Sequence, residues 1–278
     1  MTSLRSNFQS TMPYFRHDNL QFSFEEHGSG KPFVFSHGLG GSLERSLELT
    51  HQLPNIHLIL YDNRGHGRTR PLGDLEKLTF EAMAGDMAAL LDYLNVPSAF
   101  VGGVSMGAGI SLAFCLRYPQ RVKALILNRP AWLDAPNPPN LSILTTIAQL
   151  VERLGLERAR AEFEHTEPYR DLERRYPGSA KSLTDLFNTE NSDALVASLR
   201  SIPSSAPVDS LDKLTTLGVP SLVLGNRNDP LHPFELALTL AQTIPGARFY
   251  EIPSKSEDMN GHFQQFRQIV TQFLSTLE

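Results

Sequence analysis

The stretch that decides the fold reads Ala99-Phe100-Val101-Gly102-Gly103-Val104-Ser105-Met106-Gly107-Ala108-Gly109-Ile110-Ser111-Leu112-Ala113-Phe114-Cys115-Leu116. The interval from Tyr93 to Leu116 carries no charge and is nominally long enough for a bilayer span, which takes about 20 apolar residues. Asn95, Pro97, Ser98, Ser105 and four glycines inside it argue instead for a buried strand, a tight turn and the start of a helix. Gly103-Val104-Ser105-Met106-Gly107 then falls between strand and helix as a G-x-S-x-G pentapeptide, the context of a nucleophile elbow. The serine sits on a strained turn with its hydroxyl exposed. Glycine two residues to either side removes the Cβ atoms that would keep strand and helix from closing so tightly.

Outward from the elbow, the apolar runs keep one character. Pro32 to Phe35, His57 to Leu60, Ala99 to Val101, Ala124 to Leu127 and Ser221 to Leu224 are short, nearly continuous and bounded by Gly, Pro or Asn. Runs apolar on both faces predict parallel strands covered on both sides. Arg248 to Ile252 predicts a last strand, and Tyr14 to Arg16 with Gln21 to Phe24, joined through Asp18-Asn19, predicts an opening hairpin. Between them lie helical periods: Phe80, Met83, Ala84, Met87, Leu90, Leu91 and Leu94 behind a Thr79 N-cap; a segment around Phe234 to Ala241; and Phe266, Ile269, Val270, Phe273 and Leu274. Alternation of strands and helices predicts an α/β fold with a doubly wound, mostly parallel sheet. The alternation lapses from Asp134 to Val208, where Ile143, Ile147, Leu150, Val151 and Leu154 form a helical stripe ahead of a mixed-charge run. Residues 1–133 and 209–278 are therefore expected to form the core domain, and 134–208 a helical cap over the sheet.

Composition narrows the function classes. A chain of 278 residues with 41% hydrophobic and 20% charged positions is ordinary globular material, long enough for a full core without metals or disulfides. The net charge of −5 and the lack of any basic run argue against nucleic acid and anionic membrane surfaces as partners. Cys115 is single and sits among apolar neighbours, so it reads as core and not as a catalytic thiol. No apolar stretch in the first 20 residues is long enough for a signal peptide, so the expected location is cytoplasmic.

Two further segments gather around the serine. His37-Gly38-Leu39-Gly40-Gly41 follows the strand at Phe33 to Phe35. A dinucleotide fingerprint begun at Gly38 would need glycine where Leu43 stands, and a Walker loop ending at Gly30-Lys31 would need it at Glu25. As an oxyanion loop the segment fits: the Leu39 amide would face the developing negative oxygen, with the Met106 amide as the second donor, and His37 would hold the loop by hydrogen bonds. Asp229 falls at the end of the strand Ser221 to Leu224, where open α/β sheets collect functional residues, and is the expected acid. Of the two histidines after it, His232 lies in the same short loop before Pro233, whereas His262 follows the last strand and opens the last helix; His262 is the expected base.

With these residues in place, the chain resembles the α/β-hydrolase family in its capped serine-hydrolase branch, from the opening hairpin to the final helix. Asp62-Asn63-Arg64-Gly65-His66-Gly67-Arg68 resembles the D-x-R-G-x-G loop of that branch, which implies a structural role for Asp62 and Arg64. The loop Pro253 to Asn260 departs from the family's short glycine-rich link in being longer and more polar, and offers Asp258 as an alternative acid. The resemblance implies a carboxylesterase-like enzyme that cleaves a small ester, lactone or thioester through an acyl-enzyme on Ser105, with no metal and no organic cofactor and a small-molecule substrate as its partner. Trp132, at the exit of a strand ending near the serine, is expected to bind substrate, with the stripe on Ile143 to Leu154 as an apolar wall. A ligand-binding or receptor protein on the same scaffold remains an alternative, as does a carbon–carbon bond hydrolase or cofactor-free perhydrolase using the same triad.

Overall fold

The computed structural model describes residues 13–277. Residues 1–12, on which part of the signal-peptide expectation rests, and residue 278 lie outside it. Strands β1 (Tyr14–His17), β2 (Leu20–Gly28), β3 (Lys31–Ser36), β4 (Ile56–Tyr61), β5 (Ala99–Val104), β6 (Val122–Asn128), β7 (Ser221–Gly225) and β8 (Arg248–Glu251) form one sheet in the order β1-β2-β4-β3-β5-β6-β7-β8. β1 and β2 pair antiparallel, as do β2 and β4, and every later pairing is parallel. The β1–β2 turn places Asp18 and Asn19 at φ 50° and 61°, the left-handed pair that matches strand twist and that Asp and Asn tolerate best after glycine.

Ten helices accompany the sheet among the described residues: α1 (Leu43–Thr50), α2 (Phe80–Tyr93), α3 (Met106–Arg117), α4 (Ile143–Leu154), α5 (Leu156–Glu164), α6 (Glu167–Arg175), α7 (Pro177–Thr184), α8 (Ser192–Ser201), α9 (Phe234–Thr243) and α10 (Met259–Ser275). Thr79 caps α2 as its spacing predicts, its hydroxyl accepting from the Ala82 amide at 3.2 Å, a contact worth about 1 kcal/mol. The strands divide their side chains between two cores. Val34, Ile59, Val101, Leu125, Leu127 and Val223 meet α2, α3 and α9 on one face. Phe33, Phe35, Leu58, Leu60, Phe100, Ile126, Leu222 and Leu224 meet α1 and α10 on the other, through Leu43, Leu49, Phe266, Val270 and Phe273. Each such side chain contributes about 1.5–3 kcal/mol on burial, and covering both faces is what makes the strands read as continuous apolar runs. The fold is therefore the doubly wound, mostly parallel sheet that the sequence predicts, with α4 to α8 all inserted between β6 and β7. No helix among the described residues is long and apolar enough to cross a membrane, the Tyr93 to Leu116 interval included.

One expectation about the inserted helices is corrected. Of the stripe on α4, Ile147, Leu150 and Val151 are buried in the core cluster, and Ile143 and Leu154 pack against it; α4 lies on α5 and α8. The stripe holds helices to helices, and none of its five residues lines the large cavity described below.

Candidate active site

The site assembles at the carboxyl ends of the parallel strands, where loops leaving β3, β4, β5, β6, β7 and β8 converge. Ser105 joins β5 to α3 at φ 57°, ψ −114°, a conformation that a side-chain-bearing residue adopts at a cost of about 1–3 kcal/mol. The neighbouring glycines make that turn possible: a Cβ on Gly103 would stand 2.3 Å from the Gly107 carbonyl carbon, and one on Gly107 would stand 2.0 Å from the Ser36 oxygen. The Ser105 amide is tied to the Asn128 carbonyl at 3.0 Å, and its own carbonyl begins α3.

The loop after β3 lies against this turn, with Gly38 close enough that a Cβ there would touch the Ser105 Cβ at 3.4 Å. His37 is fully buried; its Nε2 accepts from the Asn63 amide at 3.0 Å, and its Nδ1 donates to the Gly38 carbonyl at 2.8 Å. Burial pushes its pKa down to about 4, so it is a neutral strut for the loop, as expected. The Leu39 and Met106 amides have no hydrogen-bond acceptor among the described residues. The Asp62 carboxylate accepts from the Leu43 and Arg68 amides, each at 2.8 Å, and Arg64 is ion-paired with buried Asp86 on α2 and with Asp18. Both residues thus clamp loops, in line with the structural role that the resemblance implies.

The histidine facing Ser105 is His232. Its Nε2 lies 2.9 Å from Ser105 Oγ and its Nδ1 lies 3.0 Å from Asp229 Oδ2. His262, the base expected from chain order, forms a hydrogen bond with neither. It sits in the first turn of α10 with Nδ1 donating to the Pro253 carbonyl at 2.8 Å, and its Nε2 is buried without a partner among the described residues. Burial, followed by the charge of Arg129, drives its pKa down to about 3. The placement of His232 has a local cause. Asp229 and His232 flank one tight turn, closed by the His232 amide on the Asp229 carbonyl at 3.1 Å, so both side chains project to the same side toward β5. Asp258, the alternative acid, is spent as the N-cap of α10, accepting from the Gly261 amide at 2.9 Å.

Arg129, which sequence reading passed over, completes the group. It leaves β6 at φ 49°, is almost fully buried, and sends Nε and Nη2 to Asp229 Oδ2, while Ser179 on α7 donates to Oδ1 at 3.0 Å. Burial alone would raise the Asp229 pKa, but the charges of Arg129 and His232 outweigh it and hold the carboxyl well below the usual range. His232 is shifted down, first by burial and then by Arg129, against the pull of Asp229. Arg129 Nη2 is also 2.9 Å from His232 Nδ1. A guanidinium only donates, so a proton on Nδ1 excludes that bond and selects Asp229 as its acceptor, leaving the Nε2 lone pair toward Ser105. The signal for Arg129 was present in the sequence as a lone charge at the exit of an apolar strand.

A cavity of about 660 Å³ opens over this group, walled by Leu39, Trp132, Leu141, Leu144, Leu183 and Leu186 beside Ser105 and His232. Trp132 is therefore placed where the sequence suggests, stacked edge-on to Phe80 at 5.2 Å. Lys255, Met259 and His262 form the wall on the β8 side.

Comparison with known proteins agrees with this architecture. Residues 31–266 match the model of the alpha/beta hydrolase fold. The chain is 27% identical over 252 residues to a proposed carbamate hydrolase, RutD, of Azorhizobium caulinodans, an alignment covering 87% of this chain and 89% of that one. A thermophilic esterase from Thermogutta terrifontis superposes with a TM-score of 0.74 at 25% identity, over 93% and 94% of the two chains. An enol-lactonase from Burkholderia xenovorans shares the fold at a TM-score of 0.73 and 23% identity, over 95% and 100%. A strained serine in a glycine-framed turn, a histidine bridging it to a buried carboxylate, and a family model spanning most of the sequence converge: the chain belongs to the alpha/beta hydrolase family.

Proposed function

We propose that the protein is a serine hydrolase of small carboxylic esters, lactones or thioesters, working through Ser105, His232 and Asp229. The observation that carries this reading is the unbroken relay from Ser105 Oγ to His232 Nε2 at 2.9 Å and from His232 Nδ1 to Asp229 at 3.0 Å. His232 takes the hydroxyl proton as Oγ attacks the carbonyl carbon, and Asp229 stabilises the imidazolium that forms. The tetrahedral oxyanion is received by the free amides of Leu39 and Met106, each such donor being worth about 2.7–4 kcal/mol. Collapse expels the alcohol or thiol, which takes the proton from His232. Water, deprotonated in turn by His232, then attacks the acyl group on Ser105 and releases the carboxylic acid. Trp132 and the cavity's leucines bind the hydrocarbon part of the substrate. The names of the relatives, with a proposed carbamate hydrolase, an esterase and an enol-lactonase among them, share hydrolysis at a carboxyl-level carbon and support this class.

The test is covalent. A fluorophosphonate should attach to Ser105 in a peptide map, and a p-nitrophenyl ester should leave an acyl group there in a rapid quench. Ser105→Ala should lose both. Labelling at another residue, or none on folded protein, rejects the assignment.

A further inference from the structure

We propose that Lys255 is a specificity-determining residue that pairs with a carboxylate carried by the substrate, so that this site, on the hydrolase reading above, prefers esters or lactones bearing one negative charge. Lys255 lies in the loop between β8 and α10 and lines the same cavity as Ser105 and His232. Its backbone is held on both sides. Ser254 Oγ bonds to Glu257 at 3.0 Å, and Ser256 Oγ accepts from the Gly178 amide on α7 at 3.0 Å. The ammonium itself has no hydrogen-bond acceptor and no carboxylate within reach among the described residues; its contact is the face of Phe263, 5.4 Å from the ring centroid.

The charges around it do not supply a counter-ion. Arg129 and Arg45 repel it, whereas Asp229 and Glu48 attract it. Asp229 is already saturated by Arg129, His232 and Ser179, and Glu48 pairs with Arg45 at 3.6 Å. What remains is desolvation, which with the repulsion of the arginines pushes the Lys255 pKa down to about 7. At neutral pH the group is thus close to the balance between its charged and neutral forms, and an anion that enters the cavity draws it to the charged form, because a charge-assisted hydrogen bond is stronger than a neutral one. A monoanion fits better than a phosphate. One ammonium neutralises one charge, and Arg45, Arg68, Lys181 and Arg129 at the same cavity are already paired with Glu48, Glu44, Asp185 and Asp229, so they add no second partner for a dianion.

The experiment compares matched substrates. p-Nitrophenyl valerate and mono-p-nitrophenyl glutarate have acyl chains of equal length and differ in a terminal carboxylate; phenyl acetate and 4-acetoxybenzoate place the same difference on the alcohol side. The ratio of kcat/KM for the charged over the neutral ester should fall about 10- to 100-fold in Lys255→Met for at least one pair, carried by KM, and recover in Lys255→Arg. Ratios changed less than about threefold for both pairs overturn the proposal. If no ester is hydrolysed by the wild-type protein, the hydrolase reading fails by itself, and the anion site is then judged by calorimetric titration of monomethyl glutarate, a monoanion, into Ser105→Ala. Binding that disappears when Lys255→Met is added sustains the site, and binding that is equal in the two variants, or absent from both, rejects it.

Discussion

The two histidines offer a direct way to separate chemistry from scaffolding. His232→Ala removes the group that stands 2.9 Å from Ser105 Oγ, while Asp229 keeps Arg129 and Ser179 as partners and is not orphaned by the change. A positioned general base accounts for about 10²- to 10⁴-fold in rate, which at about 1.36 kcal/mol per tenfold is about 2.7–5.5 kcal/mol of transition-state stabilisation. Because burial and Arg129 hold the His232 pKa below its ordinary value, the imidazole is already neutral at neutral pH, and the whole deficit should appear there. His262→Asn is the contrasting change. Its side-chain N–H can still reach the Pro253 carbonyl, so at worst one hydrogen bond of about 1 kcal/mol is lost, equivalent to about 2–4 °C in Tm for a chain of this size. Its kcat/KM should stay within about tenfold of wild type, the cost of a perturbed wall contact. Both variants would be assayed for kcat/KM with p-nitrophenyl esters across a pH series and melted by calorimetry. Collapse of turnover in His262→Asn, together with near wild-type turnover in His232→Ala, would refute a relay through His232.

Acid should unfold the protein through its buried histidines. His37, His66 and His262 are pushed down to about 4, about 3 and about 3 by burial, whereas an unfolded histidine titrates near 6.5, so below that pH the unfolded chain binds protons that the folded chain refuses. Stability is intact above about pH 6.5 and should fall by about 4 kcal/mol per pH unit between about pH 5.5 and 4 from these three rings; a denaturant midpoint that stays flat over that window would contradict it. Trp132→Ala should lower stability by about 3–5 kcal/mol, since a buried indole packed on Phe80 is lost, and should move the preferred acyl chain toward longer substrates as the cavity deepens. A lowered Tm with an unchanged chain-length ranking would mean that Trp132 packs the core and other residues set the pocket.

What was legible in the sequence is what strain and periodicity enforce. Gly103, Ser105 and Gly107 announce the elbow because side chains at the two glycines would be driven to within 2.3 Å of neighbouring backbone atoms. The strand runs announce the sheet because both faces are buried. α1 was not legible: eight residues with Glu44, Arg45 and Glu48 among them show no wide apolar stripe, and Leu43 and Leu49 are buried in the core with Leu47 half-buried against it. The choice between His232 and His262 was not legible from chain order either. It turns on which way a ring points, and that follows from tertiary contacts: the Pro253 carbonyl captures His262, whereas the Asp229–His232 turn aims its ring at the serine. The acid–x–x–histidine spacing within a strand-exit loop was the available signal. The stripe on α4 shows the converse limit, since an apolar face reports burial without reporting what it is buried against.

On the hydrolase reading, having Asp229 and His232 on one turn changes what the fold has to keep aligned. The relay depends on three adjacent strand exits, β5, β6 and β7, which carry Ser105, Arg129 and the Asp229–His232 turn, all on interior strands of the sheet. The edge strand β8 and helix α10 contribute packing through Phe266, Val270 and Phe273 and a wall through Lys255, Met259 and His262, but no member of the relay. On the hydrolase reading, the segment from Arg248 onward is therefore a replaceable module: with its core-facing residues retained, rewriting its loop should recast which molecules are accepted and leave the relay in place.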